Sequence, residues 1–492
     1  MNALRDRLYA LCPVSVQDML VSAYGRRILG ERFGPDFDEL RDFLEISERA
    51  GSEEMEAYQD ERLRTVVAHA YETVPYYTEL MDGLGLRPSD IETRSDLRSF
   101  PLLTRDDVIE NRERLVSTGV SRERLRLAAT SGTTGYPVSV YWDHGVTVMN
   151  NACLWRARRW GGVGFGRPYA TLMGRPIVPA RQKRPPYWRF NSSWNQLILS
   201  SYHLDEESVP FYLGAMRERG VEMLEAYPSA AYMLARYMEM ESLRFPLKSV
   251  LTSSEPLLDI QRELIEERFG CRVLDAYGQA ERVAFASECE RHEGLHVFGE
   301  YGVVEILDGD GRPVGPGGSG QIVATGLHNM AMPLIRYATG DSATLKSEPC
   351  SCGRTLPMLS SVTGKAEDIV VTPLGRMVPG PLLSFAFKGV PHLVRSQIVQ
   401  DRPDQIRVLL VTSDGFLPRD EERVRAGLSR TLGGEVAIVF ERVDEIPMSA
   451  RGKYRWVVSN VPLRWGKLST SNLYQDEDAE SARAHSGATE TG

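Results

Sequence analysis

Thr130-Ser131-Gly132-Thr133-Thr134-Gly135 is a run of small residues and hydroxyls without a bulky side chain. Its backbone N–H groups and hydroxyls could cradle a polyphosphate. It is not a Walker loop. No Lys-Ser/Thr pair follows, and the flanking segments LRLAAT and VSVYW both read as strands. The same composition would also make a plain flexible turn. A second constellation is Cys289-x-x-His292, with Cys350-x-Cys352 further along. Three thiols and one imidazole are the number and type of donors that tetrahedral zinc takes, and each short pair can chelate one ion. His296 is an alternative imidazole ligand. The competing reading is that the thiols are merely buried and the two pairs never meet. Zinc held this way would be structural, because four protein ligands leave no open position for a substrate. Cys12, Cys153 and Cys271 read as isolated core cysteines.

The elements that must position these residues are those of an α/β protein. The chain has 492 residues, 42% hydrophobic and 25% charged, enough for two or three domains with a sizeable core. Its formal net charge of −9 argues against a nucleic-acid partner bound by phosphate neutralisation. Arg5, Arg7, Pro13, Gln17 and Asp18 interrupt the N-terminal stretch too early for a signal peptide. No run approaches the roughly 18 uncharged apolar residues of a membrane span. A soluble, cytoplasmic protein with no membrane partner is the expectation.

Periodicity predicts an amphipathic helix over about residues 55–71, with Met55, Leu63, Val66, Val67 and Ala70 on one face and Pro75 ending it. Residues 1–100 therefore read as mostly helical. After residue 125 strands and helices alternate: GVEMLEAY, SAAYMLARYMEM, SVLTS, a SEPL turn, LLDIQRELIEERFG closed by Gly270, then CRVLDAYG. Residues 302–327 read as a hairpin with a long turn rich in glycine, proline and aspartate. A compact α/β unit follows, with SQIVQ and IRVLLV as strands, DEERVRAGLSRTLGG as a helix and EVAIVFERV as a strand. The expected partition is 1–100, 101–366, 367–466 and a disordered polar tail at 467–492.

SGTTGYP resembles the phosphate loop of the adenylate-forming ligases. LRTVVAHAYETVPYY, FPLLTRDDVIENRERL, SSEPL, DAYGQAE, MPLIRYATGD and ARGKYRWVV resemble segments of the phenylacetate–CoA ligases and their capsular-polysaccharide-associated relatives, in the same order. The resemblance spans about residues 55–460. It implies a large multi-sheet N-terminal domain that forms the adenylate, and a small mobile C-terminal α/β domain. Thr130, Ser131, Gly132, Thr133, Thr134 and Gly135 would hold the ATP phosphates. Ser253, Ser254, Glu255, Pro256, Asp275, Ala276, Tyr277 and Gly278 would border the AMP moiety, with Tyr277 against the adenine. Asp341 would accept hydrogen bonds from both ribose hydroxyls. Glu281 would help hold Mg²⁺ against the phosphates. Tyr227, Pro228, Ser229 and Ala276 would form part of the acid pocket. Arg336 would be either phosphate-proximal or a packing residue.

Lys453 carries the catalytic expectation. In the resembling family its segment swings over the active site, so that the lysine touches both the carboxylate and the α-phosphate. A cation there stabilises the approach of two anions. Two departures stand out. Tyr136 occupies a position where the family often has lysine, and the hinge reads Gly364-Lys365-Ala366-Glu367-Asp368, with Lys365 in place of arginine. Lysine keeps the charge without the bidentate fork. Lys365 would still contact ATP, and Glu367 would mark the hinge. The implied reaction forms an acyl-adenylate from an aromatic or arylacetic acid and MgATP, releases pyrophosphate, and passes the acyl group to coenzyme A. The alternative acceptor is an amine, a hydroxyl or a carrier-protein thiol. A silent nucleotide-binding protein would not need Glu281, Asp341 and Lys453 together. Small-molecule acid and acceptor are the implied partners, and a homodimer the implied assembly.

Overall fold

This computed structural model describes residues 8–129, 138–173, 175, 177–179, 182–204, 207–363, 369–373, 377–379, 383, 385–387, 390–446 and 455–461. Helices α1 (Val14–Arg32), α2 (Pro35–Ser47), α3 (Ser52–Thr73) and α4 (Pro75–Leu84) dominate the first hundred residues. Pro35 sits at the first position of α2, with Asp36 and Asp38 in its first turn, where a missing N–H costs nothing and negative charge meets the positive helix end. Helix α3 contains the expected segment and buries Leu63, Val66, Val67 and Ala70. Pro75 does more than stop it: Val74 turns extended and Pro75 opens α4, which closes at Gly85 in the left-handed region, φ 70°. Thr104 starts the short α5 (Arg105–Glu110) by a capping box with Asp107.

Strands β1 (Arg126–Ala129) and β2 (Ser139–Trp142) pair antiparallel and lead into α6 (His144–Trp160). Asp143 caps α6: its Oδ1 accepts from the Val146 N–H at 3.0 Å, while its Oδ2 accepts from the N–H groups of Met330 and Ala331. The main sheet contains β3 (Tyr169–Leu172), β4 (Trp188–Asn191), β5 (Gln196–Leu199), β6 (Met223–Ala226), β7 (Ser249–Ser253), β8 (Arg272–Gly278), β9 (Phe285–Glu288), β10 (Leu295–Val297), β11 (Gly302–Leu307), β12 (Ser319–Gly326), β13 (Tyr337–Leu345) and β14 (Met358–Thr363). Their order is β11-β12-β13-β14-β10-β9-β8-β7-β6-β3-β5-β4. Strands β8, β7, β6, β3 and β5 are parallel, and every other pairing in the sheet is antiparallel.

Period-two alternation sorts the parallel half onto two cores. Leu172, Leu224, Val250 and Val273 pack under α7 (Val209–Glu218), α8 (Pro228–Met240) and α9 (Asp259–Phe269). Tyr169, Met223, Leu251, Leu274 and Ala276 pack under α2 and α6. This near-continuous hydrophobic reading is what a sheet covered on both faces requires. Gly270 closes α9 at φ 58°, as expected. The expected hairpin is β11–β12, running in register from Gly302↔Gly326 to Leu307↔Gln321.

Toward the C-terminus, β15 (Ile369–Val371) pairs with β16 (Met377–Pro379). A four-stranded sheet then combines β17 (Leu393–Arg402), β18 (Gln405–Thr412), β19 (Ala437–Arg442) and β20 (Val457–Ser459), with α10 (Pro418–Leu432) packed on it. These elements have a core of their own, built on Val370, Ile398, Val408, Leu410, Val424 and Leu428. No described helix is long and apolar enough to cross a membrane.

Candidate active site and metal centre

Two strands far apart in the sheet meet at the site. Four strand-to-strand steps separate β8 from β13. In a flat sheet that path would span roughly 19 Å. Yet the Tyr277 hydroxyl, near the end of β8, donates to Asp341 Oδ2 in β13 at 2.7 Å. The antiparallel half must therefore curl over and bring β13 back to the carboxyl ends of the parallel strands, where open α/β sheets bind ligands. Thr339 and Asp341 are linked by the Asp341 N–H donating to Thr339 Oγ1 at 3.1 Å. The buried Tyr337 hydroxyl donates to Glu281 Oε1 at 2.8 Å. Glu281 is only 4% exposed. Burial, then the Asp341 carboxylate, raises Tyr277 well above the ordinary phenol range. Burial, then Glu281, does the same to Tyr337. Both phenols thus stay protonated and act as donors that orient the two carboxylates.

Asp275 sits lower on β8 and has protein partners. Its Oδ1 accepts from Thr252 Oγ1 at 2.7 Å, and its backbone N–H donates to Glu288 Oε2. Glu288 is held by Arg262 through two hydrogen bonds of 2.8 and 2.9 Å. Burial and then the Glu288 charge push Asp275 up to about 7. Ser253 ends β7, and Ser254 adopts φ 72° beside Glu255 and Pro256. Tyr227 and Pro228 begin α8; Tyr227 packs in the core under α7–α9, whereas Ala276 faces the core under α6. The expected acid-pocket residues are thus divided between two layers. Gly278 ends β8. Arg336 is a packing residue: its guanidinium donates to the Phe100 carbonyl at 2.8 Å and pairs with Glu305 at 3.3 Å in a buried position.

The thiols do meet. One donor atom each from Cys289, His296, Cys350 and Cys352 lies within 4.8 Å of every other. Cys289 Sγ is 3.6 Å from Cys350 Sγ, and Cys352 Sγ is 3.5 Å from His296 Nε2. The imidazole is His296, which corrects the expectation of His292. Residues after Cys289 turn back, and His292 lies in that turn at φ 57°, with Nδ1 3.2 Å from Arg262 and 3.5 Å from Glu288. His296 lies on the returning strand β10, paired with Ser287 on one side and Met358 on the other. The Arg291 N–H donates to Cys289 Sγ and the Arg354 N–H to Cys352 Sγ, both at 3.4 Å. Burial works against the Cys352 thiolate, but the Arg354 N–H and guanidinium outweigh it and its pKa falls. Burial pushes His296 down to about 4, leaving a neutral imidazole. Three sulfurs, a neutral imidazole and N–H groups directed at sulfur fit tetrahedral zinc.

The family model of the CapK C-terminal domain matches residues 370–460. Protein CapK of Staphylococcus aureus is 26% identical over 459 residues, covering 92% of this chain and 99% of CapK. The phenylacetate–coenzyme A ligase of Thermus thermophilus is 28% identical over 341 residues, 65% of this chain and 72% of its own. That of Escherichia coli is 27% identical over 354 residues, 67% and 75% respectively. The chain is homologous to CapK and the phenylacetate–CoA ligases. The fold agrees: 2-hydroxyisobutyryl-CoA ligase, in its postadenylation state with R3-HIB-AMP, superposes with a TM-score of 0.68 at 19% identity, covering 84% of this chain and 91% of that one.

Thr130, Ser131, Gly132, Thr133, Thr134, Gly135, Lys365, Glu367 and Lys453, and the side chain of Ser229, lie outside the described residues. Sequence reasoning missed Tyr337, Thr252 and Thr339, which hold Glu281, Asp275 and Asp341. A signal existed for two of them. Read as a strand, Tyr337, Thr339 and Asp341 alternate onto one face.

Proposed function

We propose that this protein activates an aromatic or arylacetic acid as its acyl-adenylate, at the expense of MgATP, and transfers the acyl group to coenzyme A. The supporting observation is the Tyr277–Asp341 contact beside Tyr337–Glu281, at the strand ends of a homologue of the phenylacetate–CoA ligases. Asp341, steadied by Tyr277, would receive the ribose diol. Glu281, aimed by Tyr337, would ligate Mg²⁺. The Thr130–Gly135 loop would hold the phosphates, and Lys453 would bridge carboxylate and α-phosphate. Residues 367–466 would move about Glu367 between adenylation and transfer. Zinc on Cys289, His296, Cys350 and Cys352 would be structural.

Carboxylate-dependent exchange of pyrophosphate into ATP, run over a panel of arylacetic and aromatic acids, tests the first step. A screen of CoA, amines and carrier-protein thiols tests the second. Exchange with one or more acids and formation of the acyl-CoA are expected. Failure of every acid to support exchange would sink the proposal, and an amide or ester product would redirect its second half.

A further inference from the structure

The cysteine cluster is tied into the packing of the N-terminal helices. Cys350 and Cys352 lie in the connection from β13 to β14, and the residues just after them grip the end of α2. Arg354 gives its backbone N–H to Cys352 Sγ at 3.4 Å, and its guanidinium pairs with Glu48 at 3.4 Å and with Glu290 at 3.0 Å. The Thr355 N–H donates to the Glu48 carbonyl at 3.1 Å, and the Thr355 hydroxyl to the Ala50 carbonyl at 2.5 Å. Glu48 also accepts from Trp160 Nε1 at 2.9 Å. The Trp160 ring in turn lies 4.4 Å from the Arg354 guanidinium and 5.4 Å from the His296 imidazole. Glu48 and Ala50 belong to the turn between α2 and α3, so that turn is held from the metal site.

The three sulfurs differ in access. Cys289 and Cys350 are buried, whereas Cys352 is half-buried. All of them converge, each within 4.8 Å of the others and of His296. On zinc each sulfur is a thiolate, the form that attacks peroxides.

We propose that this cluster is a redox-sensitive latch: a hydroperoxide oxidises Cys352, Cys289 closes a disulfide with it, the zinc leaves, and the turn between α2 and α3 loosens. The inference rests on zinc occupying the four donors and adds a second state to its structural role. The Cys352 thiolate attacks one peroxide oxygen; the O–O bond breaks, leaving a sulfenic acid and an alkoxide that takes up a proton. The Cys289 thiolate then attacks the Cys352 sulfur. The S–S bond forms, the S–O bond breaks, and hydroxide leaves to become water. Two thiolates have lost two electrons and the hydroperoxide has gained them. Cys289 is the partner because it comes from a different hairpin. A bond to Cys350 would close a ring across a single residue, far from relaxed disulfide geometry. An S–S bond of about 2.05 Å replaces two Zn–S contacts. One sulfur and one imidazole remain, half of a tetrahedral set, too few to keep the ion. As Cys352 Sγ moves, the Arg354 N–H loses its acceptor and the grip on Glu48 and Ala50 shifts with it.

The test exposes full-length, zinc-loaded protein to hydrogen peroxide. Zinc release is read with a chromophoric chelator, free thiols by titration in denaturant, disulfides by peptide mapping, and the turn by amide hydrogen exchange. Release of about one zinc per chain and loss of two of the six thiols are expected, with a Cys289–Cys352 disulfide. Exchange over residues 48–51 should become about ten-fold faster or more. Dithiothreitol with added zinc should reverse all four changes. In Arg354→Gln the turn should exchange fast before any oxidation, while the disulfide still forms. Zinc retained with all thiols intact overturns the inference, as does zinc loss with sulfinic or sulfonic acids in place of the disulfide. A disulfide that leaves exchange over 48–51 unchanged overturns the latch. Protein holding less than half an equivalent of zinc before oxidation removes the metal reading itself, and the inference with it.

Discussion

Replacing His296 with alanine should empty the metal site, whereas His292→Ala should leave it loaded. His296 is fully buried, and its Nε2 lies 3.5 Å from Cys352 Sγ. Its removal takes one of four converging donors and leaves three sulfurs. Loss of a partner that merely supports a ligand costs about 10–100-fold in metal affinity. Loss of the ligand itself should exceed about 100-fold on the same scale. The His292 side chain meets Arg262 and Glu288, which keep their two mutual hydrogen bonds without it. That variant should lose about 1 kcal/mol of stability, one hydrogen bond's worth. The assay is metal analysis after purification without chelator, alongside thermal unfolding. Wild type and His292→Ala should carry close to one zinc per chain, and His296→Ala less than half. Cys352→Ser, at a partly exposed position, provides a second ligand variant if His296→Ala does not fold. Wild-type protein with less than half an equivalent refutes the zinc reading. Equal loading of His296→Ala and wild type refutes the ligand assignment.

Lys453→Ala should lower pyrophosphate exchange by about 10²–10³ while leaving the melting temperature unchanged; undiminished exchange removes the lysine from the reaction. Tyr337→Phe leaves Glu281 without its 2.8 Å donor, so a higher Mg²⁺ requirement and a rate loss of about ten-fold are expected, read by titrating exchange against Mg²⁺. An unchanged Mg²⁺ profile would show that Tyr337 does not orient Glu281. Asp275 has its pKa raised in the fold to about 7 by burial and then by Glu288. Its contribution to stability is full below the unfolded value near 4 and is lost as pH rises toward about 7. Asp275→Asn should flatten that decline, a difference of a few kcal/mol at most on the order set by linkage, measured as urea midpoints from pH 4 to 8. An identical slope in the variant would relocate the titration elsewhere.

Local rules made much of this molecule legible. The helix around Leu63–Ala70, the strand ending in Ser253, the Gly270 stop and the β11–β12 hairpin follow from periodicity and turn residues, because their interactions are short in sequence. What stayed hidden depends on long-range closure. RYATGD looks like a turn when read locally, yet Tyr337–Leu345 is a strand held by β12 and β14. The order of strands β8 to β13, and hence the meeting of Tyr277 with Asp341, cannot be inferred from spacing. His292 matched the favoured ligand spacing, and only the hairpin register selects His296.

Of the four metal donors, Cys289 directly follows β9, His296 lies on β10, and Cys350 and Cys352 lie in the connection from β13 to β14; β9, β10 and β14 are the strands that separate β8 from β13 in the sheet. The ion would thus pin the hinge pages of a book whose covers carry Tyr277 and Asp341. Stripping it should not act as a competitor does, by raising the ligand concentration needed. It should divide the population, with some molecules retaining a well-formed nucleotide cleft and full turnover, and the remainder having none.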